Sequence, residues 1–101
     1  MRRYTIQFSN IFEKEFAKLS TQNRKQVLET VEVMKNDPYY QSLRTKKMKG
    51  RRKYQRYLYE SRVNREIRLI WYFDDDDDDK IIVMLEVGHH DVEKQRKVQR
   101  H

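Results

Sequence analysis

The sequence predicts an α+β fold: a small antiparallel β-sheet with an N-terminal helical hairpin on one face, in the order β-α-α-β-β-β. Three observations predict it. Apolar residues alternate at the start of the chain, then recur at three- and four-residue steps, then return to alternation and short apolar runs. Two adjacent helical segments with a tight connection form an antiparallel hairpin whose apolar stripes cannot bury each other, so a sheet must cover them. The chain has 101 residues, enough for one domain over 1–101 with one modest core.

The first strand is read in "RRYTIQFS", Arg2–Ser9, where Tyr4, Ile6 and Phe8 share one face and Thr5 and Gln7 the other. Asn10 is the expected N-cap of the first helix, with Glu13 at the reciprocal position and Phe12, Phe16 and Leu19 on its apolar face. Ser20 or Thr21 caps the second helix, whose apolar face is Val27, Leu28, Val31 and Met34. Asp37-Pro38 ends it, because the residue before proline avoids the helical region. "KYQRYLYE" (Lys53–Glu60) reads as a strand and "SRVN" as its turn. "REIRLIWYF" (Arg65–Phe73) puts Ile67, Leu69, Trp71 and Phe73 on one face and Arg68, Ile70 and Tyr72 on the other. Six aspartates, Asp74–Asp79, form an acidic turn, since such like charges repel; "KIIVMLEVG" (Lys80–Gly88) is the last strand. The basic end, residues 94–101, is either a final helical turn or a flexible tail.

Composition narrows the function classes. The absence of cysteine removes disulfides, Cys-based zinc sites and thiol nucleophiles. No apolar run reaches the roughly 20 residues of a membrane span, and "MRRYTIQFSN" lacks a signal-type apolar core. A cytoplasmic protein with no membrane partner is the expectation. The net charge is +7 and it is unevenly placed. Residues 44–68 hold eleven Lys and Arg against two Glu, whereas residues 69–93 hold one Lys against nine acids. So dense a basic segment, interleaved with Tyr54, Tyr57 and Tyr59, is the footprint of a polyanion such as nucleic acid.

Three features carry candidate chemistry. Arg68 should stand on the sheet face that the helices leave open, where its planar fork matches a phosphate or pairs with Glu60 or Glu86. His89 and His90 are adjacent, so on a continuing strand they point to opposite faces and cannot form a metal pair. One of them can still transfer protons near neutral pH. The aspartate run lacks the alternation, glycine and distal glutamate of a calcium loop, and no GxxxxGK[ST] phosphate loop exists. No metal site and no cofactor are expected.

Taken together, "KMKG" (Lys47–Gly50) before a strand, "REIRLIWYF" and "VMLEVGHHDV" (Val83–Val92) resemble, in order and spacing, the RelE/ParE superfamily of type II toxins. The resemblance covers essentially the whole chain. It implies a metal-independent endoribonuclease that cleaves messenger RNA, often at the ribosome. It also implies neutralisation by a cognate antitoxin, with operator DNA bound only through the toxin–antitoxin complex. Arg68 occupies the position of the family's phosphate-stabilising arginine, and His90 matches the basic residue after the last strand, with His89 just before it. Lys46, Lys47, Lys49, Arg51, Arg52 and Arg56 lie where the family binds RNA. This chain departs from relatives in having no aromatic residue after Phe73 and no acid between Ser42 and Lys49. Histidine is therefore the expected proton carrier for attack of the 2′-OH on phosphorus. The alternative is a ParE-like inhibitor of DNA gyrase, or a toxin-fold protein that only binds; a basic scaffold protein of ribosomes is a third class.

Overall fold

The computed structural model describes residues 3–74 and 80–89. Strand β1 (Thr5–Phe8) leads into helices α1 (Asn10–Ala17) and α2 (Thr21–Asn36). A 3-10 turn, Gln41–Leu43, then precedes four strands: β2 (Lys46–Lys53), β3 (Arg56–Arg62), β4 (Ile67–Phe73) and β5 (Ile81–His89). The sheet order is β1-β5-β4-β3-β2. The α+β class stands, with one strand more than expected. The basic stretch from Lys46 is itself an edge strand, and the strand read as Lys53–Glu60 is instead Arg56–Arg62, paired with β2. Four strands form an antiparallel meander, whereas β1 joins β5 in parallel. That corrects the all-antiparallel expectation: the helical hairpin carries the chain to the far edge of the sheet, and after the meander the last strand β5 lies beside β1 running the same way.

Ser9, not Asn10, caps α1. Its hydroxyl accepts from the Phe12 amide at 3.0 Å and donates to the Leu85 carbonyl at 2.8 Å, so one side chain closes the helix and fastens it to β5. Glu15 adds a second tie by accepting from the Val87 amide at 3.0 Å. Ser20 caps α2 through the Asn23 amide, and Asp37 ends it, both as expected. Of the four residues assigned to the apolar face of α2, Val27, Val31 and Met34 are buried but Leu28 is 53% exposed. The stripe that reaches the sheet is narrower than the apolar composition suggests.

The main core joins Phe12, Leu19, Val27, Val31 and Met34 to Ile67, Leu69, Trp71, Ile82, Met84 and Val87. Burial of each such side chain contributes about 1.5–3 kcal/mol relative to exposure. A β-bulge lies where Ile70 pairs with Glu86 but Trp71 pairs with Met84, leaving Leu85 as the extra residue. It explains why the core-facing residues of β5 step from Met84 to Val87. The opposite sheet face is not simply open. Leu58, Ile70, Tyr72, Val83 and Leu85 form a second apolar cluster there, with Met48 of β2 packed against it. β2 reaches it because its pairing with β3 jumps from Lys47 to Arg52, with Gly50 at φ 71° in the gap. The Tyr54-Gln55 turn then joins β2 to β3 with both φ values positive, the twist that suits a two-residue hairpin. For residues with side chains this geometry costs roughly 1–2 kcal/mol each.

The loop after α2 is tied down by a polar chain. The Thr45 hydroxyl donates to the Pro38 carbonyl at 2.7 Å, so Ser61 must donate to Thr45 at 2.6 Å, and Ser61 accepts from Trp71 Nε1 at 2.8 Å. Tyr39 of this loop sits edge-on to Tyr59 and is 56% exposed, and partial burial of its phenol, followed by Tyr59, pushes its pKa up to about 12. The folded state thus keeps a proton that the unfolded chain releases near pH 10. This stabilisation is complete below the unfolded pKa and is lost as pH rises through about 12. Urea midpoints measured from neutral to strongly alkaline pH should fall less steeply over that window in Tyr39→Phe than in the wild type.

Candidate functional site

The antiparallel pairing of β3 with β4 sets Arg62 directly opposite Arg68, and β5 continues the row with Gly88 opposite Arg68. These residues lie on the face away from the helices. Two arginines facing each other across a ladder repel. They are held together by the turn between them: Arg62 Nε and Arg68 Nη1 both donate to the Asn64 carbonyl, at 3.3 and 2.7 Å. Arg68 Nη1 also approaches the Ile67 carbonyl at 3.3 Å. Both side chains are half-buried, and neither forms an ion pair among the described residues. A guanidinium has five N–H donors. The Nη groups of Arg62, and Nε and Nη2 of Arg68, therefore remain available to an anion arriving from solvent. Opposite Arg68, a Cβ added at Gly88 would meet nothing within 4 Å among the described residues.

Asn64 organises this turn. Its Oδ1 accepts from the Glu66 and Ile67 amides at 2.8 and 2.9 Å. Its Nδ2 donates to Asn23 Oδ1 at 3.1 Å and Gln26 Oε1 at 2.5 Å on α2. The side chain thus shapes the turn and anchors it to the helix, while its carbonyl gathers the two arginines.

The next row of the same face carries Lys46, Glu60, Ile70 and Glu86. Glu60 is paired with Lys46 at 3.5 Å and Glu86 with Arg51 at 3.6 Å. Glu60 and Glu86, the acids expected to partner Arg68, are thus paired with β2 instead, which leaves the arginine pair without an acid among the described residues. Arg68 itself is the second residue of β4.

The remaining candidate residues separate. His89 pairs with Ile67, a core residue, so it points away from Arg68; its Nε2 lies 3.6 Å from a Glu66 carboxylate oxygen. His90, Asp75–Asp79 and the tail 91–101 lie outside the described residues. The basic residues of β2 and β3 divide between the two sheet faces. Lys46 and Arg51 pair with the open-face acids, whereas Lys47 Nζ and Arg52 Cζ lie 4.3 and 4.7 Å from the Tyr57 ring centroid. Lys49 is exposed on the irregular stretch of β2, and Arg56 pairs with Asp74 at 3.0 Å. Arg62 and Asn64 escape notice in the sequence because the alternating pattern ends the strand before them at Glu60. Extending that strand by two residues leaves a four-residue turn, 63–66, and that alone places Arg62 opposite Arg68.

No protein-family model matches the chain, and no curated protein matches it in sequence. Solved structures do share its fold. The RelBE2 toxin–antitoxin complex of Mycobacterium tuberculosis superposes with a TM-score of 0.69 at 22% identity, over 89% of this chain and 94% of that one. The archaeal RelE–RelB complex of Pyrococcus horikoshii gives 0.68 at 19% identity, over 86% and 94%. The DinJ–YafQ toxin–antitoxin complex of E. coli gives 0.64 at 16% identity, over 89% and 96%. The fold of this chain is therefore the RelE-like fold.

Proposed function

We propose that this RelE-like chain is the toxin of a type II toxin–antitoxin system and cleaves messenger RNA at the ribosome without a metal ion. The observation that carries the proposal is the pair Arg62–Arg68, fixed on one carbonyl and without an acidic partner among the described residues. In the proposed reaction the RNA 2′-OH attacks the adjacent phosphorus and the 5′-oxygen leaves. Charge accumulates on the non-bridging oxygens, and two preorganised guanidinium groups stabilise it more than the ground state. Arg68 is assigned to the scissile phosphate with Arg62 as its partner. Proton transfer is assigned to His90, because His89 turns to the other face of β5; His89 is kept as a support to that strand end.

Lys46, Lys49 and Arg51 hold the RNA backbone on the arginine side, and Lys47, Arg52 and Arg56 contribute field rather than contact. The cognate antitoxin is the protein partner, and operator DNA is reached only in its company. Inducing the chain in cells should stop growth and produce new message ends within open reading frames. A DNA-damage response without such ends would replace this reading with gyrase inhibition.

A further inference from the structure

Beside the arginine pair, a cleft of about 320 Å³ opens between α2, the loop around Ser42 and the β3–β4 turn. Arg62 and Asn64, which also shape the arginine pair, are among its lining residues. Buried Leu43 and half-buried Val33 and Val63 give it an apolar floor. Its rim is polar. Glu29 has no hydrogen-bond or ion-pair partner among the described residues, and it lies one helical turn from Gln26, on the same face of α2. The Gln26 carbonyl oxygen is occupied by Asn64, which leaves its amide hydrogens to donate.

We infer that this cleft is a nucleobase subsite for the residue flanking the phosphate held by Arg62 and Arg68, and that it selects guanine. The inference rests on the phosphate reading of those arginines. A volume of this size lies in the range of small-ligand sites, and an apolar floor accepts the face of a flat ring. The rim then reads the edge. The two oxygens of Glu29 accept from the adjacent N1–H and N2–H groups of guanine, while the Gln26 amide donates to O6. Uracil offers a single N–H between two carbonyls, so it would leave one carboxylate oxygen facing an acceptor. A bidentate contact of this kind discriminates between bases by roughly tenfold or more.

The test uses the full chain with 5′-GMP and 5′-UMP as probes, followed by NMR. GMP should bind at least about tenfold more tightly than UMP and shift the amides of Gln26, Glu29 and Ser42. Glu29→Gln should collapse that ratio, and Ser42→Trp, which fills the mouth, should weaken both nucleotides. Mapped cleavage ends should carry guanine beside the cut, and Glu29→Gln should erase the preference. Equal affinity for the two nucleotides, a ratio that survives Glu29→Gln, or binding untouched by Ser42→Trp overturns the subsite. So does competition by an arginine-bearing peptide where guanine nucleotides have no effect, since the cleft would then belong to a protein partner. Cleavage without guanine preference removes the subsite and keeps the nuclease. Guanine selectivity without cleavage does the reverse.

Discussion

Arg68→Ala is expected to lower RNA cleavage by roughly 10²–10³-fold, the cost of removing one preorganised donor group from a developing oxyanion. Arg62→Ala should fall in the same range, because both guanidinium groups hang on the Asn64 carbonyl and face one space. The double variant should lose little more than either single one, as groups that act as a unit are strongly non-additive. Stability should not follow activity. The native state sets two like charges opposite each other without an acid among the described residues, so removing one relieves repulsion while giving up a hydrogen bond or two. The melting temperature should move by only a few degrees. Arg68→Lys restores the charge but not the fork, and should recover only part of the rate. Cleavage assays and thermal melts on the purified variants make the check. Full activity in Arg68→Ala would remove the arginine pair from the mechanism.

Asn64→Ala should injure both the fold and the site. It deletes four side-chain hydrogen bonds, two that shape the turn and two that tie it to α2. The partners on Asn23, Gln26 and Glu66 can turn to water, since these residues are half-buried or exposed, but Ile67 is fully buried. A loss of about 2–3 kcal/mol follows. Cleavage at a temperature where the variant is still folded should drop by about tenfold or more, because a relaxed turn no longer fixes the carbonyl that gathers the arginines. Asn64→Asp separates the two effects. Its carboxylate still accepts from the Glu66 and Ile67 amides, so the turn persists, but it cannot donate to Gln26, and it places a negative charge beside the anion site. The aspartate variant should therefore be more stable than the alanine variant and no more active. Denaturant midpoints set beside cleavage rates test this, and a fully active Asn64→Ala would show that the turn plays no part in positioning.

Much of the fold is legible in the sequence because its signals are local. The switch from alternation in Thr5–Phe8 to helical steps in α1 and α2 is written in neighbouring residues, and so are the cap at Ser20 and the stop at Asp37-Pro38. What is not legible depends on partners distant in sequence. Lys46–Lys53 has almost no apolar residue to mark it as a strand; it is extended because β3 offers it an edge. Ser9 outranks Asn10 as a cap because the Leu85 carbonyl waits beside it. Leu28 is exposed because the helix turns Val27 and Val31 to the sheet instead.

The same division holds for the site. Residue types and their order determined that this chain is small, basic in its middle and free of cysteine, and that Arg68 faces away from the core. Only the tertiary structure decided that Arg62 stands beside it, that Glu60 and Glu86 are drawn off by β2, and that His89 turns the other way. The reason is register. A strand end placed two residues early, or one bulge at Leu85, changes which side chains meet across a sheet without changing any local propensity.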